Sequence, residues 1–258
     1  MSKADSLRTV PGFDWQVWVD RWEKMQDRYL IRRKERFNTI CRLVRETQRA
    51  GCRILDLGCG PGSLMEAMLG AIPSAKVTGL DVDPTLLVLA EKRFAGYGPR
   101  VKLVQWNLRN PNWPHIVGGP VNAVVSATAL HWLNSDTLEE LYGLVGGVLS
   151  PGGLFLNADH VGNESPSIQA LWDKRRWSAL RRRMRDGVDD WKGFWADYLE
   201  QLGPQARQLR ETALGEWEGV EPGLPLTWHF DRLRGAGFES VDCFWRRDGD
   251  AVYGGIRG

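Results

Sequence analysis

The chain predicts an α/β fold built on a mostly parallel sheet, and three observations carry that expectation. The run Asp56-Leu57-Gly58-Cys59-Gly60-Pro61-Gly62 follows a short apolar strand, Arg53-Ile54-Leu55, and opens a helix from Ser63 to Gly70. A second strand, Lys76-Val77-Thr78-Gly79-Leu80, ends in Asp81, some twenty residues beyond the loop. Farther on, Val121-Asn122-Ala123-Val124-Val125-Ser126 is an apolar run suited to burial on both faces of a sheet.

The first two elements also point to a ligand. Glycines at a strand-to-helix turn let the backbone approach a bound molecule and aim amide N–H groups at it, at the positive end of a helix. An acid at the end of the second strand stands where a ribose would donate hydrogen bonds. Together they predict a nucleoside-containing ligand across the ends of the first two strands. A dinucleotide fingerprint would need a third glycine where the chain has Ser63, and Asp56 would repel a pyrophosphate. A cationic ligand tolerates Asp56.

The D-x-G-x-G-x-G arrangement, followed by Gly79-Leu80-Asp81-Val82-Asp83-Pro84, closely resembles the class I S-adenosylmethionine-dependent methyltransferases. The resemblance implies S-adenosyl-L-methionine as cofactor, with the glycine loop under its methionine part and Asp81 on the ribose hydroxyls. Val101-Lys102-Leu103-Val104-Gln105-Trp106 reads as strand three, and Asn107-Leu108 occupies the family's adenine position. Asparagine there replaces the usual acid, keeping a carbonyl acceptor but losing the charge. Val82 and Leu108 are expected to sandwich the adenine. The implied cofactor set is Asp56, Gly58, Cys59, Gly60, Gly62, Asp81, Val82, Asn107 and Leu108, with Ser126 and Ala127 at the end of strand four.

Ser150-Pro151-Gly152-Gly153 before Leu154-Phe155-Leu156-Asn157-Ala158 matches the family's turn into strand five, and Leu233-Arg234-Gly235-Ala236-Gly237-Phe238 its terminal hairpin. The matching motifs cover about four-fifths of the chain. The implied fold is Rossmann-like, a seven-stranded, mostly parallel sheet with the last strand antiparallel.

The length of 258 residues suits one such domain with elaborations. The expected division is a helical N-terminal lid over 1–50, a cofactor-binding core over 51–162 and 226–258, and a helical insertion between strands five and six over 163–225. Cys41, Cys52, Cys59 and Cys243 show no C-x-x-C spacing and read as reduced thiols. No early segment has the length of a membrane span or the pattern of a signal peptide, so a cytoplasmic location without membrane partners is expected. A net charge of +2 implies no strong polyanion preference, and a nucleic-acid partner is not expected.

Asp20 to Thr47 carries apolar residues near helical periodicity, and Phe13 to Trp18 concentrates aromatics ahead of it. These rings either pack on the domain's side or belong to a lid over cofactor and substrate. The insertion has helical stretches at Ser167–Arg185, Val188–Leu202 and Pro204–Trp217, and is rich in tryptophan. Such rings must meet each other, the core or a ligand. Trp15, Trp18 and Tyr29 are expected to face Trp172, Trp191 and Trp195 across a cleft floored by Ala127 to His131. The basic run from Lys174 to Arg185 reads as a solvated helix face, from which one or two arginines reach a substrate carboxylate or phosphate in the alternative reading.

The segment after strand four bears on the chemistry. Ser126-Ala127-Thr128-Ala129 lacks the acid or asparagine, prolines and aromatic of nucleobase N-methyltransferases, and no carboxylate set for a catalytic metal is apparent. Ala127-Thr128-Ala129-Leu130-His131-Trp132 instead resembles the A-x-x-L-H/Q-W segment of small-molecule O-methyltransferases, including trans-aconitate and juvenile hormone acid methyltransferases. His131 and His160 are the candidate catalytic residues, since an imidazole titrates near neutrality, and Trp132 and Asp159 are candidate substrate contacts. A histidine that only caps the following helix is the competing reading for His131. Methyl transfer from a sulfonium asks chiefly for an in-line nucleophile held close with water excluded. A carboxylate acceptor needs no base, whereas a phenol or amine does. The expectation is therefore metal-independent O-methylation of a small molecule, by proximity or with a histidine base. An RNA-modifying methyltransferase, a carboxy-S-adenosylmethionine synthase and a non-catalytic cofactor-binding protein remain as alternatives on the same core.

Overall fold

The computed structural model describes residues 7, 10, 12–184, 188–220 and 222–258. Two helices lead in, α1 (Trp15–Tyr29) and α2 (Arg33–Thr47). Alternating strands and helices follow as β1 (Arg53–Leu57), α3 (Ser63–Ala71), β2 (Lys76–Asp81), α4 (Pro84–Arg93), β3 (Val101–Gln105), α5 (Pro114–Val117), β4 (Val121–Ala127) and α6 (Ser135–Val148). The chain then runs through β5 (Leu149–His160), α7 (Pro166–Arg183), α8 (Trp191–Leu202), α9 (Pro204–Leu214), α10 (Leu226–Gly235), β6 (Phe238–Arg247) and β7 (Asp250–Arg257).

All seven strands form one sheet in the order β3-β2-β1-β4-β5-β7-β6. The first five pair in parallel, and β7 runs antiparallel between β5 and β6. This is the Rossmann-like arrangement with an antiparallel last strand. Strand order reverses between β1 and β4, and in such sheets the crevice at that switch point, beyond the carboxyl ends of the strands, takes the ligand. The apolar strands bury both faces. Ile54, Ala123, Val125 and Leu156 meet α2 and α3 on one side, while Leu55, Val124 and Phe155 meet α6 and α10 on the other.

A third apolar cluster lies outside the sheet and joins α1, α4 and α8. Trp18, Trp22 and Met25 pack there with Phe194, Trp195 and Tyr198. Asp14 starts α1 by accepting the Gln16 and Val17 amides, so the aromatics from Trp15 to Trp18 form the first turn of that helix. The expected single helical stretch from Asp20 to Thr47 is broken over residues 30–32, where Arg32 adopts a left-handed conformation (φ 57°). The break turns α2 back along the sheet.

Helix α8 starts later than expected because Asp190 caps it, accepting the Gly193 amide. Helix α9 ends before Trp217. Arg185, the last residue expected in the first insertion helix, lies outside the described residues.

Arg21 fastens α1 to the insertion. Its guanidinium spans Asp189 at 2.8 and 2.9 Å, reaches Asp197 at 2.7 Å and lies 4.3 Å above the Trp18 ring. The pair with Asp189 is about a quarter exposed, so solvent screening discounts it. Arg21→Ala should lower unfolding free energy by about 1 kcal/mol. Equilibrium denaturation reads this, and an unchanged midpoint would show that α1 is held by apolar packing alone.

Candidate functional site

One cleft of about 550 Å³ opens over the carboxyl ends of β1, β2 and β4. Helix α1, the loop before α2, and α7 to α9 wall it on the other side. Its two ends differ in charge.

The acidic end is built on the glycine turn. Gly58 takes φ 71°, and a Cβ there would stand 2.3 Å from that of Ala129, so only glycine lets β1 and β4 open side by side. Gly60 (φ 52°) is different. A Cβ there would meet nothing closer than 3.8 Å and would point into the cleft, toward Leu86 and Trp22. Asp81 braces this turn, accepting the Gly60 amide at 2.6 Å and the Asp83 amide at 2.8 Å.

Asp56 has no such support. It is buried, and neither carboxylate oxygen has a hydrogen-bond partner. Burial and the neighbouring Asp81 push its carboxyl up to about 8, while burial raises Asp81 to about 6 against the pull of its backbone amides. A buried acid pair with unused acceptors fits a cationic, hydrogen-bond-donating group. An S-adenosylmethionine, with its sulfonium and ammonium, meets that description, and the space beside Gly60 accommodates it.

Cys59, Val82, Leu108, Ala127 and Asn107 line the same end. Asn107 already uses its side-chain carbonyl to accept the Arg109 amide at 3.0 Å, a local turn that shapes the loop. Gly62 and Ser126 do not line the cleft. Gly62 packs against Phe94, and the buried Ser126 hydroxyl donates to the Leu57 carbonyl at 2.7 Å.

The other end is basic and aromatic. After β4, Thr128 takes φ 57°, strained for a β-branched residue, and its amide bonds the Ala158 carbonyl at 2.9 Å. This turn delivers His131 and Trp132 to the cleft in a short 3₁₀ helix. His131 Nδ1 lies 2.7 Å from Asp159 Oδ1, and the His131 amide donates to Asp159 Oδ2 at 3.1 Å. Asp159 itself lies beneath the cleft wall. Burial would raise its carboxyl, but the hydrogen bonds and charges of His131 and His160 outweigh that and hold it well below the usual range. His160 also lines the cleft, 5.6 Å from His131 between ring centres.

The expected aromatic wall is partly redrawn. Tyr29, Trp191 and Trp195 line the cleft, but Trp15, Trp18 and Trp172 do not. Trp18 is taken up by Phe194 and Tyr198, Trp15 by Phe13 and Lys92, and Trp172 by Arg246. Their place is filled by Trp22 and by Trp217, which packs 4.6 Å from Trp132.

Sequence reading missed Trp22, Gln26, Arg33 and Phe37, which line the cleft with Tyr29. Their spacing of three and four is a helical stripe that was available as a signal, though its mixture of rings and polar groups resembles ordinary amphipathic packing. Arg176 is the member of the basic run in α7 that lines the cleft. Arg210 had no signal. It comes from α9, pairs with Asp83 at 2.8 Å and stacks 3.6 Å from the Trp195 ring.

Comparison with known proteins agrees with this geometry. Residues 54–153 match the family described as methyltransferase domain. The trans-aconitate 2-methyltransferase of Streptomyces avermitilis is 29% identical over 232 residues, covering 86% of this chain and 81% of that protein. That of Paracidovorax citrulli is 27% identical over 173 residues, covering 65% of this chain and 62%, under two thirds, of that protein. The crystal structure of magnesium protoporphyrin IX methyltransferase (ChlM) from Synechocystis PCC 6803 with bound SAH shares the fold. Its TM-score is 0.59 at 13% identity, covering 93% of this chain and 94% of that one. Residues 54–153 thus resemble a methyltransferase domain, set in a seven-stranded sheet that shares its fold with a solved methyltransferase structure.

Proposed function

We propose that this protein methylates a carboxylate oxygen of a small acidic molecule, without a metal and without a catalytic base. The observation that carries the reading is the continuity of the cleft, whose acidic end suits a cationic cofactor and whose other end gathers His131, His160, Arg33 and Arg176. Relatives named as trans-aconitate methyltransferases support it.

S-adenosylmethionine supplies a methyl group already activated by its sulfonium. Asp56 and Asp81 would hold its charged and hydroxyl-bearing parts, and Val82, Leu108 and Asn107 its adenine. The protein's remaining work is to bind, orient and dry the acceptor. An acid with an ordinary pKa near 4 is ionised at neutral pH and needs no proton removed. Arg33, held at the cleft by Glu23, and Arg176 supply positive potential for it. His131 stands at the acceptor, its ring fixed by Asp159 at Nδ1. Trp22, Trp191, Trp195 and Trp217 exclude water.

A screen of small acids with isotopically labelled cofactor, trans-aconitate among them, tests the substrate class. Label released as methanol by mild alkali identifies a carboxylate ester. Transfer to amines or bases, and none to acids, would overturn the reading.

The role of His131 separates positioning from base catalysis. His131→Gln should retain turnover within about tenfold of wild type and leave its pH profile flat near neutrality. A loss of roughly a hundredfold together with disappearance of a titration near neutral pH would instead assign a general base and a hydroxyl acceptor.

Cofactor affinity should depend on pH through Asp56. In the free protein this carboxyl is protonated below about 8, so a bound cation must expel a proton. Affinity for S-adenosylmethionine should therefore rise with pH between about 6 and about 8 and level off above. Calorimetry in buffers of different ionisation enthalpy counts the proton. Asp56→Asn should bind more weakly with a flatter slope, and an unchanged slope would assign the proton to another group.

A further inference from the structure

His160 is held by a chain of charges that the methyl-transfer reading leaves unused. Its Nδ1 lies 2.7 Å from Asp250 Oδ1, at the start of β7. Behind Asp250 stands Arg36 of α2, whose Nη1 is 3.4 Å from the same oxygen. The Arg36 side chain is 0% exposed, and its Nε and Nη2 have no hydrogen-bond partner. On the cleft side, Arg176 Nη2 lies 3.4 Å from His160 Nε2.

A fully buried guanidinium with one long ionic contact is a poor stabiliser of a fold. Its desolvation exceeds what a single pair returns, and an apolar side chain of similar volume would pack there at lower cost. Its effect falls on Asp250. Burial would raise that carboxyl, but the His160 hydrogen bond and the charge of Arg36 outweigh it and hold it below its ordinary value. An ionised Asp250 accepts hydrogen bonds only, so a neutral His160 carries its proton on Nδ1. Nε2 is then an acceptor turned toward Arg176, which keeps the guanidinium at the cleft.

We propose that Asp250 and Arg36 are positioning residues for acceptor recognition: they hold His160 in the Nδ1-protonated form, and His160 in turn presents Arg176 as a preset binding point for an acid group. The proposal rests on the acidic-acceptor reading for its biological meaning. Its chemistry is narrower, since it concerns the binding of a carboxylate that does not react. The Arg36–Asp250–His160 chain serves that non-reacting group, while the His131–Asp159 pair serves the reacting one.

Two measurements test it. Imidazole ¹⁵N spectra of the full chain at neutral pH should show the Nδ1–H tautomer for His160, and Asp250→Asn should shift the population toward Nε2–H. The second measurement is calorimetric titration of the protein, loaded with S-adenosylhomocysteine, with tricarballylate as a non-reacting acid probe. Asp250→Asn and Arg176→Gln should each weaken the probe roughly tenfold, the scale of one hydrogen bond to a charged group. S-adenosylhomocysteine affinity should stay within about twofold. With any acid that the labelled-cofactor screen identifies, both variants should raise KM and leave kcat nearly unchanged.

An Nε2–H tautomer in the wild type, or probe binding that is absent or indifferent to Asp250→Asn, would overturn the proposal. A screen in which no acid is methylated, beside the expected tautomer and probe binding, would sink the substrate reading alone. Arg36→Lys should leave the Nδ1–H population intact, and Asp250→Asn keeps the test available if that variant does not fold.

Discussion

Asp56 and Asp81 sit at the carboxyl ends of adjacent parallel strands, where the sheet buries both faces and offers no water to a charge. Asp81 recovers part of the desolvation by accepting the amides of Gly60 and Asp83, and so fixes the path of the glycine turn. Asp56 recovers none of it within the protein. The strand order places this pair at the switch point, so the free energy withheld from the fold is directed at whatever enters the cleft. A cation is the group that returns it. Much of the site follows from that constraint: the turn must be glycine where β1 and β4 crowd each other, and the helix dipole at α3 must face the ligand.

The cover over the cleft depends on different forces. Helices α1 and α8 meet through Trp18, Trp22, Phe194 and Tyr198, an apolar contact set that lies off the sheet. Charged fasteners tie this layer to the core at its edges. Glu23 of α1 accepts from Ser63, just past the glycine turn, and from Arg93 of α4. Burial would raise its carboxyl, but Arg33 and Arg93 outweigh that and keep it below its usual value. Arg109 in the loop after β3 donates to the Leu214 and Glu216 carbonyls, and Arg210 reaches Asp83. The insertion thus touches the acidic end of the cleft as well as the basic end.

The two histidines are held by different carboxylates. Each gives its Nδ1 to a carboxylate, so both rings are oriented. Asp159 is wholly buried and also holds two backbone amides, which ties His131 to the end of β5. Asp250 begins β7, between β5 and β6, and shares its charge with Arg36, which ties His160 to α2. The network joins α2, β5 and β7 at the basic end of the cleft.

Local chemistry made the core legible. A strand, a glycine turn and an acid at fixed spacing are contacts within about thirty residues of one another, so the sequence determined the sheet's parallel part, the switch point and the cofactor end. It also marked His131 and His160 through their positions after β4 and β5. What only the tertiary structure decided is which rings and charges reach the cleft from the cover. Trp15 and Trp22 stand two turns apart on nearly the same face of α1, and the elements packed against each turn decide that one meets Phe13 and Lys92 while the other lines the cleft. Arg36 reads as one more charge on an amphipathic helix, and Arg210 as a solvated one. Their partners, Asp250 and Asp83, lie more than a hundred residues away in sequence. Such pairings are settled by packing geometry between separate elements, a quantity that no periodicity or spacing within either element encodes.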